Sequence, residues 1–262
     1  MATKQEEWIT GEVTLSIQGK PLKMQMTVPK KPVKLGRMLP IFQMMTNSVV
    51  EISEKGVKSL GKKISCKKGC GACCRQPVPI SETEAMAIVE LVENMEEPRK
   101  TEIKRRFSQA VKHFQERGWL EKLESCKKNP SELQHVVMEY FWENIPCPFL
   151  EDESCSIHSN RPLACREYIV TSPASNCANP SADNIERVEI LFKPSKVLMA
   201  IEPKNYNRLP FVPLIYALEW FSENRLSESP EKKELKKTGE QWLADFFRYL
   251  TKSEIPQDRK QL

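Results

Sequence analysis

Apolar and polar residues alternate over residues 12–18, where Val13, Leu15 and Ile17 share a face, and again over 22–28, with Leu22, Met24, Met26 and Val28. A period of two marks strands with one buried face, and Gly19-Lys20-Pro21 between the runs supplies a turn, so a β-hairpin is expected. From about Leu39 the step changes to three and four. Phe42, Met45, Val49 and Ile52 line one stripe of a helix that Gly56 is expected to end or weaken. Ser81-Glu82-Thr83-Glu84 is a capping box that opens a helix through Met86, Val89 and Val92, closed by Pro98. A charged helix follows over 99–117 and stops at Gly118. Another starts at Ser131-Glu132-Leu133-Gln134 and runs through Val137, Tyr140 and Phe141 to Asn144. Residues 188–201 read as helix or strand because Pro194 interrupts them, and helices are expected near 209–224 and 231–252.

Residues 147–177 carry neither period. The pattern therefore predicts a mainly α fold with an N-terminal β-hairpin and a loop-rich cysteine-cluster metal centre packed among the helices. Composition shifts divide the chain into a hairpin appendage (1–35), a cysteine-cluster metal-binding domain (36–180) and a C-terminal helical region (181–262).

Charge and length narrow the function. A chain of 262 residues can bury a hydrophobic centre without staples. Lys and Arg number 40 against 35 Asp and Glu, a weak bias for a nucleic-acid binder, so no nucleic-acid partner is expected. The most apolar runs, 197–201 and 210–221, fall short of the roughly 20 residues that cross a bilayer. The first residues hold no apolar leader segment, so a cytoplasmic setting is expected, where thiols stay reduced. That setting matters because the chain has 9 cysteines.

Eight of them form two groups: Cys66, Cys70, Cys73 and Cys74, then Cys147, Cys155, Cys165 and Cys177. Thiolates are soft donors that suit zinc and iron–sulfur centres and serve poorly for magnesium or calcium. Gly69, Gly71 and Ala72 let the first loop curl and aim several sulfurs inward. The Cys66–Cys70–Cys73 spacing fits a [4Fe–4S] cluster, the favoured cofactor, or part of a zinc site. Adjacent Cys73 and Cys74 project differently, so one of them serves a second centre, bridges two metals or binds nothing. Lys62, Lys63, Lys67, Lys68 and Arg75 surround the first group, and Arg161 and Arg166 flank Cys165. The lysines read as solvated and the two arginines as partners for buried negative charge. Cys126 stands apart and reads as an incidental thiol.

The order Cys-x-x-x-Cys-x-x-Cys-Cys, then Cys147-Pro-Phe-Leu, Cys155-Ser-Ile-His and Arg161-Pro-Leu-Ala-Cys165-Arg, resembles the YkgJ-type cysteine-cluster family, described as zinc- or iron-chelating. The resemblance runs from Cys66 to Cys177. It differs in having three residues, not two, between the first two cysteines. It implies that all eight cysteines are metal ligands, and that His158, at a position often aromatic in the family, occupies a packing position. One branch, the flagellin lysine N-methylases, is associated with an iron–sulfur centre. It implies an alternative function, a lysine methyltransferase using S-adenosylmethionine. A third alternative is a zinc-stapled adaptor that binds a protein or RNA, for which the five bases of residues 99–106 are the candidate surface.

Other chemistries find little support. The first three cysteines fit the spacing of radical S-adenosylmethionine enzymes, but the alternating strands and helices of a barrel do not follow. Glu132 and His135 lie one helical turn apart, yet a carboxylate-bridged di-iron site needs that pair twice. His113 has no partner in sequence. No Gly-x-Gly-x-x-Gly, P-loop or Gly-x-Ser-x-Gly occurs.

Overall fold

A computed structural model describes residues 7–17, 20–181, 183–202, 209–227 and 235–252. The fold is mainly α with an N-terminal hairpin. Strands β1 (Trp8–Ile17) and β2 (Lys20–Pro29) pair antiparallel from Trp8↔Pro29 to Ile17↔Lys20. Lys20 and Pro21 thus belong to β2 instead of the turn, while Gln18 and Gly19 lie outside the described residues. Short β3 (Val33–Lys34) leads into α1 (Leu39–Ser59).

Helix α1 runs through Gly56 and stops three residues later. At Gly61 the backbone turns left-handed (φ 76°), Gly61 N–H bonds Lys58 C=O at 3.0 Å, and Lys62 N–H bonds Val57 C=O at 3.2 Å. This is the paired C-terminal cap that a glycine after a helix favours. A glycine inside a helix only weakens it by about 1 kcal/mol.

Strand β4 (Pro79–Ile80) precedes α2 (Glu82–Glu93), whose Ser81–Glu84 capping box forms as expected. Helix α3 (Arg99–Glu116) and a short α4 (Trp119–Ser125) follow, with left-handed Gly118 between them. Periodicity did not reveal α4, whose buried residues are only Trp119 and Leu123. Helix α5 (Leu133–Trp142) begins two residues beyond its expected cap Ser131, with Glu132 at the N-cap making no side-chain capping bond. The remaining elements are β5 (Leu150–Glu151), β6 (Ser154–Cys155), α6 (Leu163–Glu167), α7 (Pro194–Ile201), β7 (Val212–Pro213), α8 (Ala217–Ser227), β8 (Lys236–Lys237) and α9 (Gly239–Lys252). Pro194 occupies the first turn of α7, where its missing N–H costs nothing, and so starts this helix rather than interrupting it.

Two clusters of buried side chains result. One gathers α2, α3, α4, α5 and the start of α8 around Phe107, Phe114, Trp119, Tyr140 and Phe149. The other joins Met26 and Val28 of β2 to Phe42 and Met45 of α1, Leu198 of α7, and Trp242 and Phe246 of α9. Phe42 stacks on Phe246 with centroids 5.0 Å apart. Cys147 and Cys155 border the first cluster and Leu163 belongs to the second, so the cysteine segment lies along the seam between them.

Candidate metal centre

The first cysteine loop is anchored at both ends by backbone bonds. Ser65 N–H reaches Val170 C=O at 2.9 Å, and Ser65 Oγ–H reaches Thr171 C=O at 3.1 Å. Residues 169–171 are themselves bonded to 186–188 on their other side, through Thr171 N–H to Glu186 C=O and Val188 N–H to Ile169 C=O, each 2.9 Å. At the far end Cys73 and Cys74 sit on the 3₁₀ turn Ala72–Arg75. Cys147 N–H donates to Cys74 C=O at 2.8 Å, so the two groups touch through the main chain. Gly71 explains the closeness. A Cβ there would lie 2.6 Å from both Leu150 Cδ1 and Glu153 Oε2 and 3.1 Å from Glu153 Cα, so a larger residue would have to push the β5–β6 side chains aside. Arg75 locks the same contact, donating to the two Glu153 carboxylate oxygens at 3.0 and 2.6 Å, and holds that carboxyl below its usual range.

The second group is built on a feature the sequence pattern concealed. Strands β5 and β6 form a hairpin in which Asp152 (φ 47°) and Glu153 (φ 53°) are both left-handed, as a two-residue turn of this type requires. Asn-Gly or Asp-Gly normally signals it, and Asp-Glu does not. Here the Arg75 pair fixes Glu153, and the hairpin presents Cys155. Cys165 rides on α6, whose first amide, Leu163 N–H, donates to Glu84 Oε1 at 2.8 Å. The other Glu84 oxygen accepts from Ser81 N–H and Ser81 Oγ, each at 3.0 Å, so one buried carboxylate caps α2 and α6 together. Burial pushes the Glu84 carboxyl up, opposed by these bonds. Buried Arg166 ties the approach to α6: it donates to Arg161 C=O at 3.0 Å, Ser159 C=O at 2.6 Å and Asn47 Oδ1 of α1 at 3.0 Å. Its N–H groups serve the loop, not sulfur. Arg75 is likewise committed, and Lys62 pairs with Glu186.

All nine cysteines are free thiols. Cys66 is exposed, Cys126 and Cys177 are buried, and the other six are partly buried. Cysteines of the two groups interact: each of Cys147, Cys155, Cys165 and Cys177 feels at least one of Cys66, Cys70 and Cys73. Cys177 feels Cys70, Cys66 and Cys73, whereas Cys165 feels Cys147, Cys73 and Cys155. Burial raises Cys147 to about 12 and Cys177 to about 11, with neighbouring thiols adding to each. Cys73 is pushed up first by its hydrogen bond with Cys74 and then by burial. Gathering thiolates in a partly dry space is unfavourable, and a cation among them reverses that balance.

Local donors suit such a change. The backbone N–H groups of Phe149, Ile157 and Val170 point at the sulfurs of Cys147, Cys155 and Cys66 and favour their thiolates. Arg161 Nε and Tyr140 Oη are buried with no hydrogen-bond partner among the described residues. Arg161 bears electrostatically on Cys66, Cys73 and Cys155, and Tyr140 on Cys147. Unpaired buried donors beside thiols fit a site meant to carry negative sulfur. Among the described residues, no three His, Cys, Asp or Glu side chains already stand close enough to hold an ion. The thiols converge without closing on a point.

Several other candidates resolve into ordinary contacts. His158 is exposed, so it does not fill a packing position. His135 pairs with Glu139 at 3.0 Å, and His113 with Glu143 at 3.0 Å across thirty residues that no local pattern could link. Cys126 is buried in the first cluster and donates to Lys122 C=O. Each of the five bases in 99–106 has an acid beside it: Arg99 meets Glu151, Lys100 and Lys104 meet Glu93, and Arg105 and Arg106 meet Glu102. A cleft of about 330 Å³ opens between α1 and α2 beside Asn160 and Pro162, but both oxygens of Glu84 in its wall are already engaged. Among the described residues no helix is long and apolar enough to cross a membrane.

Residues 65–185 match the family model "CxxCxxCC: Putative zinc- or iron-chelating domain". The matched stretch holds all the cysteines and stops short of α7, α8 and α9. No curated protein and no solved structure matches the chain significantly. Within the stretch that resembles this chelating family, the thiols are the groups that can take zinc or iron, and the amides of Phe149, Ile157 and Val170 are donors to their sulfurs.

Proposed function

We propose that this chain is a metal–thiolate protein of the reducing cytosol, in which the eight cysteines of residues 66–177 hold zinc or an iron–sulfur centre. The observation that carries the reading is that two thiol groups distant in sequence interact, with backbone amides bonded to three of the sulfurs and two buried unpartnered donors, Arg161 and Tyr140, bearing on them electrostatically. Bound metal supplies the positive charge that offsets the thiolates and cross-links loops lacking a periodic apolar face of their own. In this chain Gly71, Arg75 and Glu84 set where the sulfurs stand, and Arg161 and Tyr140 can donate hydrogen bonds to them once they are ionised.

The test is purification of the full chain without oxygen, followed by metal and sulfide analysis and a visible spectrum. Stoichiometric zinc in a colourless sample, or iron with sulfide and a brown sample, is the expected outcome. A folded chain free of both metals overturns the reading.

A further inference from the structure

Between Lys55 and Ser81 the chain carries seven bases and no acid. Lys55, Lys62 and Arg75 find partners elsewhere, in Glu51, Glu186 and Glu153. Lys63, Lys67 and Lys68 are exposed and form no ion pair among the described residues, unlike the five bases of residues 99–106. They flank Cys66, the exposed cysteine. Where the same segment leaves α1, Leu60 is 78% exposed, more than any other large hydrophobic side chain among the described residues.

The backbone holds these side chains in place. Leu60 N–H bonds Val57 C=O at 3.1 Å within the cap that ends at Gly61. Cys70 N–H closes a turn onto Lys67 C=O at 3.1 Å, with Gly69 left-handed (φ 85°) and Lys68 at the corner. Gly69 N–H then reaches Ser154 Oγ of β6 at 3.2 Å, and Ser65 is tied to Val170 and Thr171. Groups held this way lose little freedom when a partner binds. Uncompensated positive charge calls for an anionic partner, and an exposed leucine beside it for an apolar contact. Single-stranded nucleic acid would need rings to stack on. Residues 55–81 contain none, and the Tyr168 ring near the Val170 anchor is covered by the Arg187 guanidinium, 5.2 Å from its centroid. A membrane surface would need the broad apolar face of an amphipathic helix, and here a single leucine projects.

We propose that Leu60, Lys63, Lys67 and Lys68 form a docking surface for an acidic protein segment, whose carboxylates meet the lysines and whose apolar side chain covers Leu60. The surface lies beside the exposed Cys66 thiol and goes beyond the metal reading by naming a partner.

Fluorescence anisotropy on the full chain, purified without oxygen, follows binding of a labelled peptide of aspartates, glutamates and leucines. Metal content and circular dichroism are recorded on every sample. Replacing Lys63, Lys67 and Lys68 together by Ser should lower affinity about tenfold or more and flatten its dependence on salt. Leu60→Ser should lower affinity roughly threefold and leave the salt dependence unchanged. Replacing Lys127 and Lys128 by Ser, which are exposed and form no ion pair among the described residues, should change neither. All three variants should keep the metal of the parent. No peptide binding by the parent, equal losses with the two lysine sets, or unchanged affinity in Leu60→Ser overturns the proposal. So does tighter binding of single-stranded RNA or phosphatidylserine vesicles than of the peptide, or loss of metal in the triple lysine variant. A folded chain that binds the peptide and holds no metal overturns the metal reading and leaves the docking surface standing.

Discussion

Helix α3 buries Ile103, Phe107, Ala110, Val111 and Phe114 along one stripe, and its charged face pairs with acids at the surface. The segment around α6 is organised the other way. Among the described residues, the buried charged side chains are Glu84, Arg166 and Glu167, and all three meet at this five-residue helix. Apolar stripes stabilise in proportion to the area they remove from water, whereas buried charges cost desolvation and repay it only through well-aimed hydrogen bonds. The helical body is thus held by burial. The cysteine segment is held in orientation by polar contacts, and under the proposed function bound metal would supply its cohesion. The contrast teaches that the charges around α6 fix the orientation of the helix that carries Cys165, and that removing one of them leaves its partners unsatisfied.

Substitutions can break or sharpen that contrast. The largest effect is expected for Phe107→Ala, which removes a ring packed edge-on to Phe149 at 5.4 Å. It should cost about 3–5 kcal/mol in denaturant unfolding and leave metal stoichiometry unchanged. Arg166→Met deletes the bonds to Arg161, Ser159 and Asn47, and should cost about 2–4 kcal/mol and weaken metal binding together. Arg161→Met separates the two roles. Its Nε has no partner to lose, so the metal-free chain should change by less than about 1 kcal/mol while metal affinity falls about tenfold. A metal-free chain destabilised as much as by Arg166→Met would show that Arg161 is structural.

The smallest effect concerns Glu202, whose carboxylate accepts from Glu82 N–H at 3.0 Å and Thr83 N–H at 2.7 Å at the start of α2. Burial raises it from 4.5 to about 7, so the folded chain holds this proton more tightly than the unfolded chain does. Its contribution to stability therefore falls as pH rises through that window. Glu202→Gln should flatten the unfolding free energy between about pH 4.5 and 7 by on the order of 1–2 kcal/mol. An unchanged slope would place the pH dependence elsewhere.

The body was the more legible region. The period of two at Met24, Met26 and Val28, the stripe through Phe42, Met45 and Val49, and the Ser81–Glu84 box each encode their element locally. Errors arose where a residue's effect depends on its place in the helix. Gly56 is tolerated inside α1 because tertiary packing outweighs its entropy cost, and Pro194 suits the one turn that needs no amide. In the cysteine segment, composition pointed to the thiols but not to their supports. That Gly71 touches Glu153, that Glu84 caps α6 and that Arg166 serves carbonyls are long-range facts, and no period in the chain records them. Both arginines bear electrostatically on the cysteines, as expected of partners for buried negative charge, but Arg166 donates its hydrogen bonds to Arg161, Ser159 and Asn47.

Hydrogen exchange on the anaerobically purified chain, before and after chelation, tests the central claim most directly. Amides of residues 65–75 and 147–178 should lose most of their protection when metal is withdrawn, while those of α2 and α3 keep theirs. Equal protection in both samples throughout the cysteine segment would contradict the claim that metal supplies its cohesion.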